Sequence, residues 1–493
     1  MVMSRMQIFI STLLGALCLT EAALRKVQRH DSSPTSRRLN FDSCTVLKSI
    51  IEYDNRVANE EDSREEICSC EFDDGTIAEL NNLGELCAEL ESTKSVITSS
   101  ADISFNAETQ EASIPVGTTI ETYTLDKEAS ENRRRLQVTG NKLIVIIRAV
   151  ALDSETTSSE AVLKREILGI GGGDSVNLAS QYSACSYGQL TFSPSTLGND
   201  GSHTVNIETT VTGKSNNVIQ GAMVTEANND LGIQAALGNG SLQYVLLCIP
   251  PGTSGGWIAY AYINSYLSVY NNRWCEYPSG LMHEIGHNLG LAHSGDGGNS
   301  YGDQSGMMGY SYNQDEGPAM CFNGAKSYQL GWFPTYSQEV ESDNPFFWNG
   351  DLVGFVDKDS MVGCAQGDSN CDKLIFRLKP QSGDNEYYVQ FNRKLGFNSG
   401  TKEGGNQVMV VSRGRGTGYS ASLIQAKLNA DNQYTISSFG VHGSLTITVQ
   451  SITLNSSGKS WADVTIEYGT VSPVNPTTAP VEPTSAPVEP TSA

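Results

Sequence analysis

Positive charge is scarce in this chain. Its 493 residues carry 32 Lys and Arg against 55 Asp and Glu, a formal net charge of −23. A polyanion of this kind repels phosphate backbones and anionic headgroups, which excludes nucleic acid and acidic lipid as natural partners. Long apolar runs are lacking too. Beyond the N-terminus none reaches the ~20 residues that a membrane-spanning helix needs. Histidine is scarcer than either. There are 6 in all, and three of them, His283, His287 and His293, fall in a single short stretch.

That stretch reads His283-Glu284-Ile285-Gly286-His287-Asn288-Leu289-Gly290-Leu291-Ala292-His293. On a helix, positions i and i+4 share a face, so the His283 and His287 imidazoles can grip one Zn²⁺. Gly290 can take the left-handed conformation that ends a helix, which lets the chain turn and return His293 as a third ligand. Three protein ligands leave one position open, the arrangement of a catalytic rather than a structural zinc site. Glu284 faces the same site without being needed as a ligand. It is the candidate catalytic base for a water-dependent hydrolysis.

Downstream lies Ser305-Gly306-Met307-Met308-Gly309-Tyr310. The zinc proteases called metzincins carry HExxHxxGxxH followed by a methionine turn beneath the metal, and this stretch resembles that turn with Met308 as its methionine. Tyr310 resembles the tyrosine that lies near zinc in some of them. Together with Cys185-Ser186-Tyr187-Gly188-Gln189-Leu190 and the run from Phe322 to Trp332, these segments are similar to the gametolysin (autolysin) peptidases. The likeness is clearest over about residues 140 to 335. It implies a secreted zinc endopeptidase whose substrates are proteins and glycoproteins of the cell wall or extracellular matrix. The rival reading is a non-catalytic matrix-binding or adhesion protein on the same scaffold. Glu284 argues against it, since a binding scaffold has no use for that carboxylate.

The N-terminus reads as a signal peptide over 1–22, with Arg5 ahead of a short apolar stretch and small residues at its end. Secretion makes disulfides the default for the remaining cysteines. Cys364 and Cys371 are a natural local pair; the other pairings are not readable from sequence. Residues 23–135 are polar and acidic and end at Arg133-Arg134-Arg135, which reads as a propeptide with a basic processing site. Cys68-Ser69-Cys70 within it is either disulfide-bonded or the source of a thiolate that fills the open metal position. No matrixin-type switch motif surrounds these cysteines.

Residues 136–335 form the expected catalytic domain. Lys142–Leu152 and Gln243–Ile249 have the continuous apolar, β-branched pattern of buried strands. Ser158–Leu168, Asp174–Ala184 and Val218–Asn228 have helical periodicity. Trp257–Asn264 alternates Ala, Tyr and Ile ahead of the histidine helix, and the resemblance to metzincins implies that it is an edge strand, where an extended substrate pairs through its backbone. The oxygen-rich stretch Ser294–Asp303 also suits Ca²⁺, although it matches no EF-hand spacing. From 336 to 470 short alternating strands separated by turn residues suggest an antiparallel β-sandwich-like domain. Asn239 and Asn455 head glycosylation sequons. Residues 471–493 repeat a Pro/Thr/Ser-rich unit and read as a linker or stalk. The fold class expected is therefore mixed α+β, a metzincin catalytic domain followed by the β-sandwich.

Overall fold

The computed structural model describes residues 38–53, 64–81, 83–84, 86–115, 119–124, 138–172, 174–309, 318–361, 371–416 and 418–469. The signal peptide, the tribasic run, Tyr310, Cys364 and the C-terminal repeats lie outside them.

The first strands are Arg38–Tyr53 (β1), Arg64–Glu71 (β2) and Ile77–Asn81 (β3). A short helix, Leu86–Glu89 (α1), leads to Ser95–Asn106 (β4), Glu111–Ser113 (β5) and Ile120–Thr124 (β6). The pairing runs β1–β2–β3–β5–β4, and β4 pairs back onto β1, closing five strands into a ring. Its core holds Val46, Phe72, Ile97, Ile103 and Phe105, with the disulfides Cys44–Cys70 and Cys68–Cys87 among them. The cysteines of the Cys68-Ser69-Cys70 motif are thus both in disulfides.

The middle of the chain follows as Gly140–Val150 (β7), Glu160–Leu168 (α2), Leu178–Ser186 (α3), Leu190–Pro194 (β8) and Ser202–Asn206 (β9). Next come Asn216–Leu231 (α4), Ile233–Gly238 (α5), Tyr244–Ile249 (β10), Trp257–Tyr262 (β11) and Leu267–Asn271 (β12). Then follow Pro278–Asn288 (α6), Ser294–Asp296 (β13) and Gly324–Leu330 (α7). β10 runs parallel to β7 and β12, while β11 runs antiparallel to β12. Side chains alternate across this sheet, as period-two geometry requires. Ile144, Ile146, Leu246 and Ala259 face the side of α6, and Val145, Ile147, Leu247 and Tyr260 face that of α4. β11 is not an edge here, because β1 lies along its other side in antiparallel register.

The remaining strands are Ser337–Glu341 (β14), Phe346–Val353 (β15), Ile375–Lys379 (β16), Asn385–Phe391 (β17) and Val408–Gly414 (β18). Ser422–Leu428 (β19), Gln433–Gly440 (β20), Gly443–Thr453 (β21) and Trp461–Tyr468 (β22) complete the fold. One sheet is ordered β13-β19-β18-β17-β16-β14 and a second β15-β22-β21-β20, and their inner faces share one core that includes Trp348, Phe376, Val410, Ile447 and Val464. This is sandwich-like. The four-stranded sheet is antiparallel throughout, but the six-stranded one is mixed, since β13 runs parallel to β19 and β14 parallel to β16.

The α+β expectation is overturned. Among the described residues the protein is mostly β, with 40% in strands and 21% helical, arranged in large mixed sheets. The main physical reason lies in the N-terminal third. A half-buried strand needs an apolar side chain only at alternate positions, so a polar, acidic stretch conceals several strands. β1 alone, with Lys48 and Glu52 among its buried residues, runs for 16 residues.

Candidate metal centre

Pro278 opens α6 in its first turn, where a missing backbone N–H is no loss. Every residue of this helix is buried. The Tyr182 hydroxyl donates to the Met282 carbonyl at 2.9 Å, and the Asn288 amide donates to the carbonyls of Tyr262 and Leu267 at 2.9 and 3.0 Å. The first bond ties the helix to α3, and the Asn288 bonds fix it against the β11–β12 hairpin. Past Asn288, Gly290 takes φ 83°, the left-handed region open to glycine. The N–H groups of Gly290 and Leu291 return to the carbonyls of His287 and Gly286, both at 2.9 Å. The chain reverses there and carries His293 back to the helix face.

The three histidines do converge. Ring centroids of His283 and His287 are 4.8 Å apart, and His293 lies 5.1 and 4.8 Å from them. His283 Nδ1 stands 2.9 Å from the Met307 carbonyl oxygen, and His287 Nδ1 2.8 Å from that of Leu291. A carbonyl only accepts, so both Nδ1 atoms carry the proton and each Nε2 keeps a lone pair. Burial pushes the His293 imidazole down to about 3 and lowers His287 as well, so both are neutral at physiological pH.

A fourth group joins them. Glu52, from β1, places Oε1 at 2.9 Å from His293 Nε2, 3.7 Å from His283 Nε2 and 3.8 Å from His287 Nε2. One ligand atom from each of these four buried residues lies within 4.8 Å of the others. Burial alone would raise the Glu52 carboxyl, but the imidazoles that face it, His293 foremost, hold it well below the usual carboxylate range. A carboxylate oxygen and three imidazole nitrogens converging on one point are the donor types that bind a divalent metal. His287 Nε2 and His293 Nε2 are 3.1 Å apart, near the ~3.3 Å that separates two imidazole nitrogens on a tetrahedral zinc. The donor set therefore suits a divalent metal.

Glu284 is fully buried on the same helix and is not one of the four convergent donors. Met308 packs under the helix, where a Cβ added to Gly286 would stand 2.5 Å from its Sδ. Its neighbour Met307 supplies the carbonyl that orients His283.

Three residues near the cluster escaped the sequence reading. Glu52 sits in the run Ser49-Ile50-Ile51-Glu52-Tyr53, where an acid at a buried strand position was the available signal. Tyr301 bonds the other Glu52 oxygen, Oε2, at 2.5 Å, and its ring centroid lies 4.3 Å from that of His293. Tyr419 reaches across from the C-terminal part of the chain, its hydroxyl 3.3 Å from His287 Nδ1; nothing in its sequence neighbourhood marks it. In the stretch considered for Ca²⁺ the aspartates have protein partners. Asp296 meets Lys427 Nζ at 3.1 Å, and buried Asp303 accepts from the Asn323 amide at 2.7 Å and the Ser305 N–H at 3.0 Å.

Cys185–Cys321 and Cys248–Cys275 are disulfides in this region, and Cys371 is also disulfide-bonded. Comparison with known proteins agrees with the geometry. Residues 142–347 match the gametolysin peptidase M11 family. Over 91 residues the chain is 32% identical to an autolysin of Chlamydomonas reinhardtii, a match covering 17% of this chain and 14% of that protein. The chain thus matches only a small part of that relative's length. The three histidines lie inside the matched stretch, so the metal-binding geometry and the likeness to the gametolysin peptidases fall on the same residues.

Proposed function

We propose that the protein is a secreted zinc endopeptidase of the metzincin type, acting on proteins or glycoproteins of a cell wall or extracellular matrix. The observation that carries this reading is the convergence of three buried imidazoles, two of them oriented by backbone carbonyls, inside a stretch that matches the gametolysin peptidases. His283, His287 and His293 hold the metal. When bound, zinc polarises the scissile carbonyl and acidifies water. Glu284 accepts the proton of the attacking water and returns it to the leaving amine, acting first as general base and then as general acid. Met308 forms the floor of the site and moves no proton. Secretion is supported by four disulfides among the described residues, which a reducing cytosol does not sustain. The choice of substrate class is supported by the likeness to gametolysins and by the relative named autolysin.

The test is cleavage of casein and gelatin by purified protein freed of its N-terminal third, with and without a chelator. Cleavage that disappears on chelation and returns with zinc is expected. Absence of cleavage by fully metal-loaded material would leave the adhesion or matrix-binding reading in its place.

A further inference from the structure

On that reading of the site, we propose that Glu52 is a fourth protein ligand to the metal, and that β1 is a built-in inhibitor lying in the lane where an extended substrate would pair. Two independent features carry this.

The first is the donor geometry. Three histidines leave one position open at a catalytic metal site. In this chain that position is met by a carboxylate from a segment more than two hundred residues away in sequence. Glu52 is 2% exposed, and both of its oxygens are engaged, Oε1 toward the histidine nitrogens and Oε2 by the Tyr301 hydroxyl. A surface acid drifting toward a cationic pocket would not be clamped from both sides. The ring's cysteines Cys44, Cys68, Cys70 and Cys87 are all in disulfides, which leaves the carboxylate rather than a thiolate to fill the position.

The second is the ladder. β1 pairs antiparallel with β11 over Ser49↔Tyr262, Ile50↔Ala261, Ile51↔Tyr260, Glu52↔Ala259 and Tyr53↔Trp257. Opposed residues share a face, and Ala259 faces α6 while Tyr260 faces away. Glu52 therefore points at the histidines because of its register, and a one-residue slip would turn it to the far side of the sheet. That register is pinned from several directions. Lys48 and Ile263 exchange a backbone bond of 2.8 Å, the Ser92 hydroxyl accepts from the Lys48 N–H at 3.0 Å and donates to the Ile263 carbonyl at 2.7 Å, and Cys44–Cys70 ties β1 to β2. Without β1, the backbone of β11 becomes an open edge beside the metal, the arrangement by which an extended peptide is held through main-chain bonds. While β1 is in place, both the edge and the open coordination position are taken. Tight backbone pairing presents the carboxylate, and no scissile bond need lie at the metal.

The experiment uses the full chain loaded with Co²⁺, with azide as the probe ligand. The wild-type full chain is expected to keep its visible cobalt spectrum unchanged under azide, because no position is open. Glu52→Gln, which keeps the shape but weakens the ligand, is expected to show an azide-dependent spectral change. It should also lose metal to a chelator at least about tenfold faster, the lower end of what even an outer-shell partner is worth, while casein cleavage is expected to rise only when β1 itself is removed by cutting the chain after the tribasic run. Ready azide binding by the wild-type full chain would overturn the proposal without reference to any variant. Identical azide and chelator behaviour in the two proteins would overturn it as well, with the three-histidine site left standing. Failure of the peptidase reading itself looks different: metal-loaded protein freed of the N-terminal third would then cleave no casein, whatever azide and the chelator show with the full chain.

Discussion

Gly286 and Met308 are in direct apposition. A methyl group on Gly286 would stand 2.5 Å from the Met308 sulfur and 3.6 Å from the Phe322 ring, and Met308 is 1% exposed. The helix that carries two of the histidines therefore rests on the methionine turn at a point where only hydrogen fits. Gly286→Ala is expected to destabilise the protein by about 1–3 kcal/mol, the usual result of overpacking a closed core. Met308→Ala in the same chain should recover part of that loss, since the two residues compete for one space. Denaturant midpoints of the four proteins of this cycle are the measurement. Strict additivity would show that the helix can lift off the turn at no penalty.

Glu284→Gln is expected to keep the metal and the fold and to lose turnover by ~10²–10⁴, the usual contribution of a positioned proton acceptor. An amide of the same shape cannot take the proton. Casein hydrolysis by the activated protein, with metal content measured alongside, checks this. Turnover at the wild-type rate would remove Glu284 from the mechanism.

His293→Ala is expected to weaken metal binding by more than the 10–100-fold that loss of an outer-shell partner produces, and to abolish peptidase activity. Metal content after dialysis, together with activity, is the readout. Stoichiometric metal and normal cleavage would place the third ligand elsewhere.

Active secreted protein is expected to begin close to Leu136. The tribasic run Arg133-Arg134-Arg135 falls between β6, which ends at Thr124, and β7, which begins at Gly140, so a cut there separates the ring that carries Glu52 from the strand that starts the peptidase region. N-terminal sequencing decides the point. Fully active protein starting near residue 23 would make the ring a permanent part of the enzyme.

The centre of the site was legible because its spacing is local. His283 and His287 are one helical turn apart, and Gly290 was readable as a helix stop from its residue type alone. The buried strands β7 and β10 were equally plain, being continuous β-branched runs. The partners of the site were not. Glu52 and Tyr419 reach the histidines only through long-range pairing, and a single residue carries no periodicity. The N-terminal ring was missed for a related reason. Its apolar positions alternate with Lys, Glu and Ser, so the composition looked solvated while the geometry was that of strands. The role of Trp257–Asn264 depended on its neighbour, and nothing in its own sequence showed that β1 would occupy its open side.

One feature of the fold bears on how far the peptidase part can travel alone. His293 is followed directly by Ser294, the first residue of β13. That strand runs beside β19 in the register Ser294↔Ser422, and the Ser422 N–H donates to the carbonyl of His293 itself at 3.1 Å. The third histidine is in this way suspended from a sheet assembled by residues more than a hundred positions later. The peptidase unit is consequently not a cassette. A chain ended at residue 335 would keep the whole histidine motif yet lose the strand from which His293 hangs, and grafting that unit onto another carrier would need β19 to go with it.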